Sequence, residues 1–213
     1  MENQIIRTFG RIHGKRLSAR QQSLLDNLLP TLAPDTDCQM PAVILEIGFG
    51  AGEHLMQLAR DNPDAAVIGA EPYMNGVASL LSAMTEIHND SVRPEYKNIR
   101  IWPDDARKLL SRINYRFSLI YILHPDPWPK ARHEKRRLCN AEFLTELAAH
   151  LAPGGKIIIG TDHMDYYDWI ADQVKRIELN AEPCAMNTIA TRYQRKDMFG
   201  ANTTKYISLT PVA

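Results

Sequence analysis

Asp126 and Trp128 stand in the run His124-Pro125-Asp126-Pro127-Trp128-Pro129-Lys130, where proline fills every second position. Each proline fixes its own φ and pushes its predecessor toward extended geometry. Both side chains are therefore expected on a stiff, extended loop with little conformational freedom left to lose. Arg132, His133, Lys135, Arg136 and Arg137 follow at once. A carboxylate and a large aromatic beside clustered positive charge suit a negatively charged polymer that carries flat bases. The plain alternative is a buried turn that leads into a solvated basic helix.

A second constellation lies upstream. An apolar strand-like stretch runs into Glu46-Ile47-Gly48-Phe49-Gly50-Ala51-Gly52-Glu53. The glycines permit a tight turn and a close approach of backbone to ligand. A dinucleotide fingerprint needs a third glycine at position 53, where this chain has Glu53. An acid beside the loop, Glu46, repels a pyrophosphate and attracts a cation. S-adenosylmethionine fits that inversion, since it lacks phosphate and carries a sulfonium and an ammonium. Glu71 ends the next apolar stretch, where an acid can accept from ribose hydroxyls. Asp104 and Asp105 follow the third, within reach of an adenine amine. Taken singly, Glu46 and Glu71 read as polar strand ends and Asp105 as a helix cap. Three acids after three successive strands point to one methyl-donor pocket.

The elements that must position these groups alternate along the chain. Strands are expected at Ala42 to Ile47, Ala66 to Ala70, Ile99 to Trp102, Phe117 to Leu123 and Lys156 to Gly160. Helices are expected at Gly52 to Asp61, Asn75 to His88, Asp105 to Arg112, Asn140 to Leu151 and His163 to Leu179. Two more strands, near 182–190 and 204–210, have no helix between them and should form an antiparallel hairpin. Near-continuous apolar strands imply a mostly parallel α/β sheet of seven strands with helices on both faces, a Rossmann-like architecture. Ligands in such sheets bind at the carboxyl ends of the strands. Residues 1–40 read as a basic arm and linker, with Arg7, Arg11, Lys15, Arg16 and Arg20, and residues 41–213 as the catalytic domain.

Composition sets few further limits. Twenty-five basic and twenty-five acidic residues cancel, so any nucleic-acid partner must be held by local patches. Cys38, Cys139 and Cys184 are far apart and show neither a zinc pattern nor a disulfide framework. No membrane-length apolar stretch or signal-like leader is visible, so a cytoplasmic protein without a bound metal is expected. Monomer and homodimer both stay open.

These residues closely resemble, in order along the chain, the bacterial tRNA (guanine-N7-)-methyltransferases. The resemblance rests on Glu46 to Gly52, Gly69-Ala70-Glu71-Pro72, Asp105-Ala106-Arg107, His124 to Arg137, Gly160-Thr161-Asp162 and Thr191-Arg192-Tyr193. Phe9-Gly10-Arg11 and Gly14-Lys15-Arg16-Leu17 extend it into the arm. It implies a class I fold and methyl transfer from S-adenosylmethionine to N7 of guanosine 46 in the tRNA variable loop. It implies that Glu46, Gly48, Gly50, Glu71, Asp105 and Asp126 line the donor site. It also implies that Lys130, Asp162, Thr191, Arg192, Tyr193 and Gln194 contact the substrate. The family usually carries glutamate where this chain has Gln194, which offers one neutral carbonyl in place of a carboxylate.

Guanine N7 has a free lone pair, so the reaction needs no general base and rests on positioning. Asp126 is the first candidate to orient the base, Asp162 the second, and Asp126 can equally serve the donor's cationic end. Trp128 and Tyr193 can stack on the base. Lys130, Arg132, Lys135, Arg136 and Arg137 can meet phosphates. Rival readings are a class I methyltransferase with another substrate, a non-catalytic tRNA-binding module, and a nicotinamide-dependent oxidoreductase, which Glu46 and Glu53 disfavour.

Overall fold

The computed structural model describes residues 8–10, 14–186 and 204–212. Its seven strands are β1 (Ala42–Ile47), β2 (Ala65–Ala70), β3 (Ile99–Trp102), β4 (Phe117–Leu123), β5 (Leu151–Thr161), β6 (Leu179–Cys184) and β7 (Lys205–Pro211). They form one sheet in the order β3-β2-β1-β4-β5-β7-β6. The helices are α1 (Ala19–Ser23), α2 (Glu53–Asp61), α3 (Met74–Met84), α4 (Ala106–Leu110), α5 (Ala141–Ala149) and α6 (Met164–Val174). The mostly parallel sheet with a C-terminal antiparallel hairpin is thus as expected.

The chain divides into two compact units, one of residues 1–41 and 48–115, the other of residues 42–47 and 116–213. In the first unit β2 and β3 pair in parallel, with Val67 opposite Ile99 and Ala70 opposite Trp102. Both strands therefore end on the same edge. All six residues of β2 are buried, as befits a strand covered on both faces. Helix α2 starts at Gly52, whose φ of +82° suits glycine, and ends at Asn62 before Pro63. A capping box between Ser18 and Gln21 starts α1, which loosens into a π turn and then tightens into a 3-10 turn as far as Leu32. Leu24, Leu25, Leu29 and Leu32 are buried along this stretch.

In the second unit β4 pairs in parallel with both β1 and β5. Glu46 lies opposite Tyr121, and Leu123 opposite Gly160. The hairpin is carried by β7, antiparallel to β5 and to β6. Leu45, Phe117, Ile120, Leu144, Ile157, Tyr166 and Ile170 are fully buried and make the core of this unit.

Several boundaries differ from expectation. Helix α3 stops at Met84, not His88, because Thr85 bridges to Val92 and the chain turns at Asn89-Asp90. Asp90 takes a φ of +53°, and Arg20 clamps the turn by donating to Asp90 at 2.8 Å and to Thr85 at 2.9 Å. Strand β5 begins at Leu151 instead of Lys156. Pro153-Gly154-Gly155 does not stop the helix, which already ends at Ala149; it lies inside β5, where the register with β4 shifts between Phe117 and Leu119. Helix α6 ends at Val174, and β6 accordingly starts at Leu179.

Candidate active site

In the first unit the glycine loop is tied to Glu71. The carboxylate accepts from the Gly50 N–H and from the Tyr73 N–H, each at 2.8 Å. The Gly48 N–H donates to the Ala70 carbonyl at 2.8 Å. Gly48 and Gly50 have φ values of +77° and +57°, and a Cβ added at either would meet nothing of the described residues within 4 Å. Gly76 of α3, by contrast, packs directly on the Gly50 carbonyl. The loop is thus braced from behind and open in front, which is the cradle a close-approaching ligand needs.

Asp105 caps α4. Its Oδ1 accepts from the Arg107 N–H at 3.1 Å and from Arg107 Nε at 2.9 Å. Its Oδ2 accepts from Arg107 NH2 at 2.7 Å and from the Thr8 hydroxyl at 2.9 Å. Four donors occupy the four acceptor directions of one carboxylate. Burial alone raises the Asp105 carboxyl, but the Arg107 hydrogen bonds and charge outweigh it, and the net shift is downward. Asp104 pairs with Lys108 at 2.7 Å.

In the second unit the carboxyl ends of β1, β4 and β5 share one edge, because the three strands run parallel. Glu46, the last residue but one of β1, is 3% exposed. Burial, and then the neighbouring Glu46 charge, push the Tyr121 phenol up. His124 leaves β4 with its N–H donating to the Gly160 carbonyl at 2.7 Å, and its Nδ1 lies 3.8 Å from Asp162 Oδ1. Asp162, just beyond β5, is half-buried, and the His163 N–H donates to Thr161 Oγ1 at 3.2 Å.

The loop between His124 and Lys130 departs from simple extension. His124 and Trp128 both take left-handed conformations, at φ +51° and +43°. Trp128 is therefore not extended as its following proline suggested. Contacts override the local preference: the Arg136 guanidinium stacks 5.0 Å over the indole, and His133 meets it edge-on at 5.7 Å. Two strained residues bracket Asp126, which projects at the exposed centre of the loop. Desolvation by the surrounding chain raises its carboxyl above the usual 3.8.

The basic run divides. Lys130, Arg132 and Lys135 are exposed. Desolvation, then the charges of Arg136, Arg132 and Lys130, lower the His133 pKa. Arg137, expected among the phosphate contacts, is instead 5% exposed and donates from Nε to the Pro127 carbonyl at 2.8 Å. A cue existed in the apolar Leu138-Cys139 that follows it. Thr191, Arg192, Tyr193 and Gln194 lie outside the described residues. No metal-binding group of His, Cys, Asp and Glu occurs among the described residues, and no helix among them is long and apolar enough to cross a membrane.

Comparison with known proteins adds the lineage. The family model described as "Putative methyltransferase" matches residues 41–204. The tRNA (guanine-N(7)-)-methyltransferase of Caulobacter vibrioides (strain NA1000 / CB15N) is 38% identical over 212 residues, 91% of this chain and 90% of that protein. The protein of the same name from Sphingopyxis alaskensis is 45% identical over 170 residues, 75% of this chain and 71% of its own. The structure of precorrin-6y C5,15-methyltransferase from Geobacter metallireducens GS-15 shares the fold, with a TM-score of 0.56 at 12% identity, over 88% of this chain and 86% of that one. By these matches the chain belongs to the tRNA (guanine-N(7)-)-methyltransferase family.

Proposed function

We propose that this protein methylates N7 of a guanosine in tRNA, at position 46 of the variable loop, with S-adenosylmethionine as donor. Residues 41–213 serve as the catalytic domain and residues 1–40 as a basic RNA-contacting arm, in the cytoplasm. The observation that carries this reading is the 38% identity to a relative of that name across 91% of the chain.

S-adenosylmethionine supplies an electrophilic methyl group on a sulfonium. The open face over Gly48 and Gly50 fits a ligand that approaches backbone closely. Glu71, which braces the loop through the Gly50 N–H and α3 through the Tyr73 N–H, is the acid that meets the ribose hydroxyls. Glu46 faces the donor's cationic end. Asp105 reaches the adenine amine by exchanging the Thr8 hydroxyl for it.

The N7 lone pair forms the new bond, the C–S pair stays on sulfur, and the base gains a full positive charge without proton transfer. A carboxylate that accepts from N1–H and the exocyclic amine binds that cation more tightly than the neutral base, which is differential stabilisation of the transition state. Asp126 takes this role, with Asp162 beside it in the substrate set. Lys130 meets a phosphate, and Thr191, Arg192, Tyr193 and Gln194 complete the substrate contacts.

The test is transfer of labelled methyl from S-adenosylmethionine to unmodified tRNA, followed by borohydride reduction and aniline cleavage. Label with a break at position 46 is the expected result. Label without a break moves the target atom, and a break elsewhere moves the target base.

A further inference from the structure

Arg137 sits in a basic run, yet its surroundings are those of a structural clamp. Its guanidinium lies 5.0 Å from the Trp169 ring and 5.4 Å from the Tyr166 ring. Glu134 Oε1 is 3.8 Å from its NH1. The side chain is 5% exposed, so a phosphate reaches it only by displacing these neighbours. Its Nε–H points at the Pro127 carbonyl, 2.8 Å away. Proline has no N–H, so that carbonyl is the sole backbone hydrogen-bonding group of Pro127. It belongs to the peptide that joins Pro127 to Trp128, whose φ is +43°.

Tyr166 and Trp169 belong to α6, which starts two residues after Asp162. Tyr166 is fully buried, and its hydroxyl accepts from the Cys139 N–H at 3.2 Å. Arg137 thereby joins two pieces of the second unit. One is the strained loop that carries Asp126, and the other is the helix that follows Asp162.

We propose that Arg137 is a positioning residue for methyl transfer, holding Asp126 in place relative to Asp162 through the Pro127 carbonyl and the Tyr166–Trp169 stack. The proposal rests on the reading of Asp126 as the orienting carboxylate. It assigns Arg137 no contact with RNA.

Two substitutions separate the clamp from a simple charge. In Arg137→Gln the amide nitrogen occupies the place of Nε, so the donor to Pro127 is kept while the cation is lost. In Arg137→Lys the cation is kept, but a methylene stands where Nε was. Steady-state kinetics on unmodified tRNA, with binding measured across a salt series, read out both. The clamp requires kcat to fall roughly 10- to 100-fold in Arg137→Lys, and less in Arg137→Gln. KM for tRNA stays within about twofold, and the slope of log K against log salt stays unchanged. Melting temperatures confirm that both variants are folded under assay conditions.

Wild-type kcat in Arg137→Lys overturns the proposal. A salt slope shallower by about one contact, with Gln worse than Lys, overturns it in favour of a phosphate contact. Asp126→Ala, assayed in parallel, tests the underlying reading by itself. If that variant turns over normally, the orienting role fails whatever Arg137 does.

Discussion

The Glu71 carboxylate accepts from the Gly50 N–H at 2.8 Å, so the second strand of the sheet holds the glycine loop that follows the first. Its other oxygen does the same for Tyr73 at the head of α3. In Glu71→Gln one oxygen becomes an amine that faces an N–H, and one of these two bonds is lost. At 8% exposure this costs about 1–3 kcal/mol, read by urea unfolding. Affinity for S-adenosylmethionine, measured by calorimetry, falls with it.

Gly50→Ala and Gly76→Ala separate the ligand side of the loop from its packing side. Among the described residues, alanine at position 50 meets no atom within 4 Å and bears only the cost of a left-handed φ, about 1–2 kcal/mol. Alanine at position 76 collides with the Gly50 carbonyl. Gly76→Ala should therefore be the less stable variant. Gly50→Ala should remain folded yet bind donor poorly, since its methyl fills the cradle. A Gly50→Ala protein with wild-type donor affinity would place the ligand elsewhere.

Asp126→Asn should cut turnover on the order of 10²-fold while leaving the fold intact. The pH dependence has a definite sign. The folded-state pKa of Asp126 is raised by desolvation, so the native protein holds that proton more readily than the unfolded chain. Relative to Asp126→Asn, the wild type gains stability as pH falls through the raised pKa toward 3.8, and loses it as pH rises. Activity depends on the ionised form and fades on acidification at a pH above the ordinary aspartate value. A rate that is flat down to pH 4 contradicts this assignment.

Asp105 shows the opposite sign. Burial opposes its ionisation, but Arg107 and Thr8 hold the carboxyl below 3.8. Its stabilising effect is complete above 3.8 and is lost as pH falls through the lowered folded-state value. Asp105→Ala should cost about 0.5–2 kcal/mol near neutrality, as the loss of a helix cap does. Chemical denaturation at neutral and acidic pH should show the gap between the two proteins closing on the acidic side.

Lys130, Arg132 and Lys135 are the exposed members of the basic run. Replacing each with alanine should weaken tRNA binding at low salt and lower the salt slope by about one per lost contact. The kcat at saturating tRNA should change little. A variant that loses kcat but keeps the slope acts on the chemistry instead.

Much of this architecture was legible in the sequence because its signals are local. Apolar runs such as Ala42 to Ile47 are strands buried on both faces, and Gly52, Asn62 and Pro63 mark helix ends within a residue or two. Glu46 lies one residue before the end of its strand, Glu71 one past and Asp105 three past theirs, so the three acids follow the order their spacing implied. What escaped depends on contacts between distant residues. Arg20 reaches the turn at Asp90, seventy positions away, and α3 ends early beside it. Trp128 defies its following proline because Arg136 and His133 hold it. Arg137 reads as one more surface cation until Tyr166 and Trp169 close around it. The occupation of Asp105 by Thr8 likewise joins residues 97 positions apart, beyond the reach of any pattern.

The two ends of the sheet also bear on how the protein behaves in crowded solution. Strand β3, at one end, is only four residues long, and its Arg100 turns back to donate to the Lys97 and Ile99 carbonyls. Strand β6, at the other, carries Glu182 and Pro183 in mid-strand. A short charged border and a proline-interrupted border are poor templates for an incoming strand. Growth of the sheet from copy to copy, the first step toward fibrillar aggregates, is thereby discouraged at both borders.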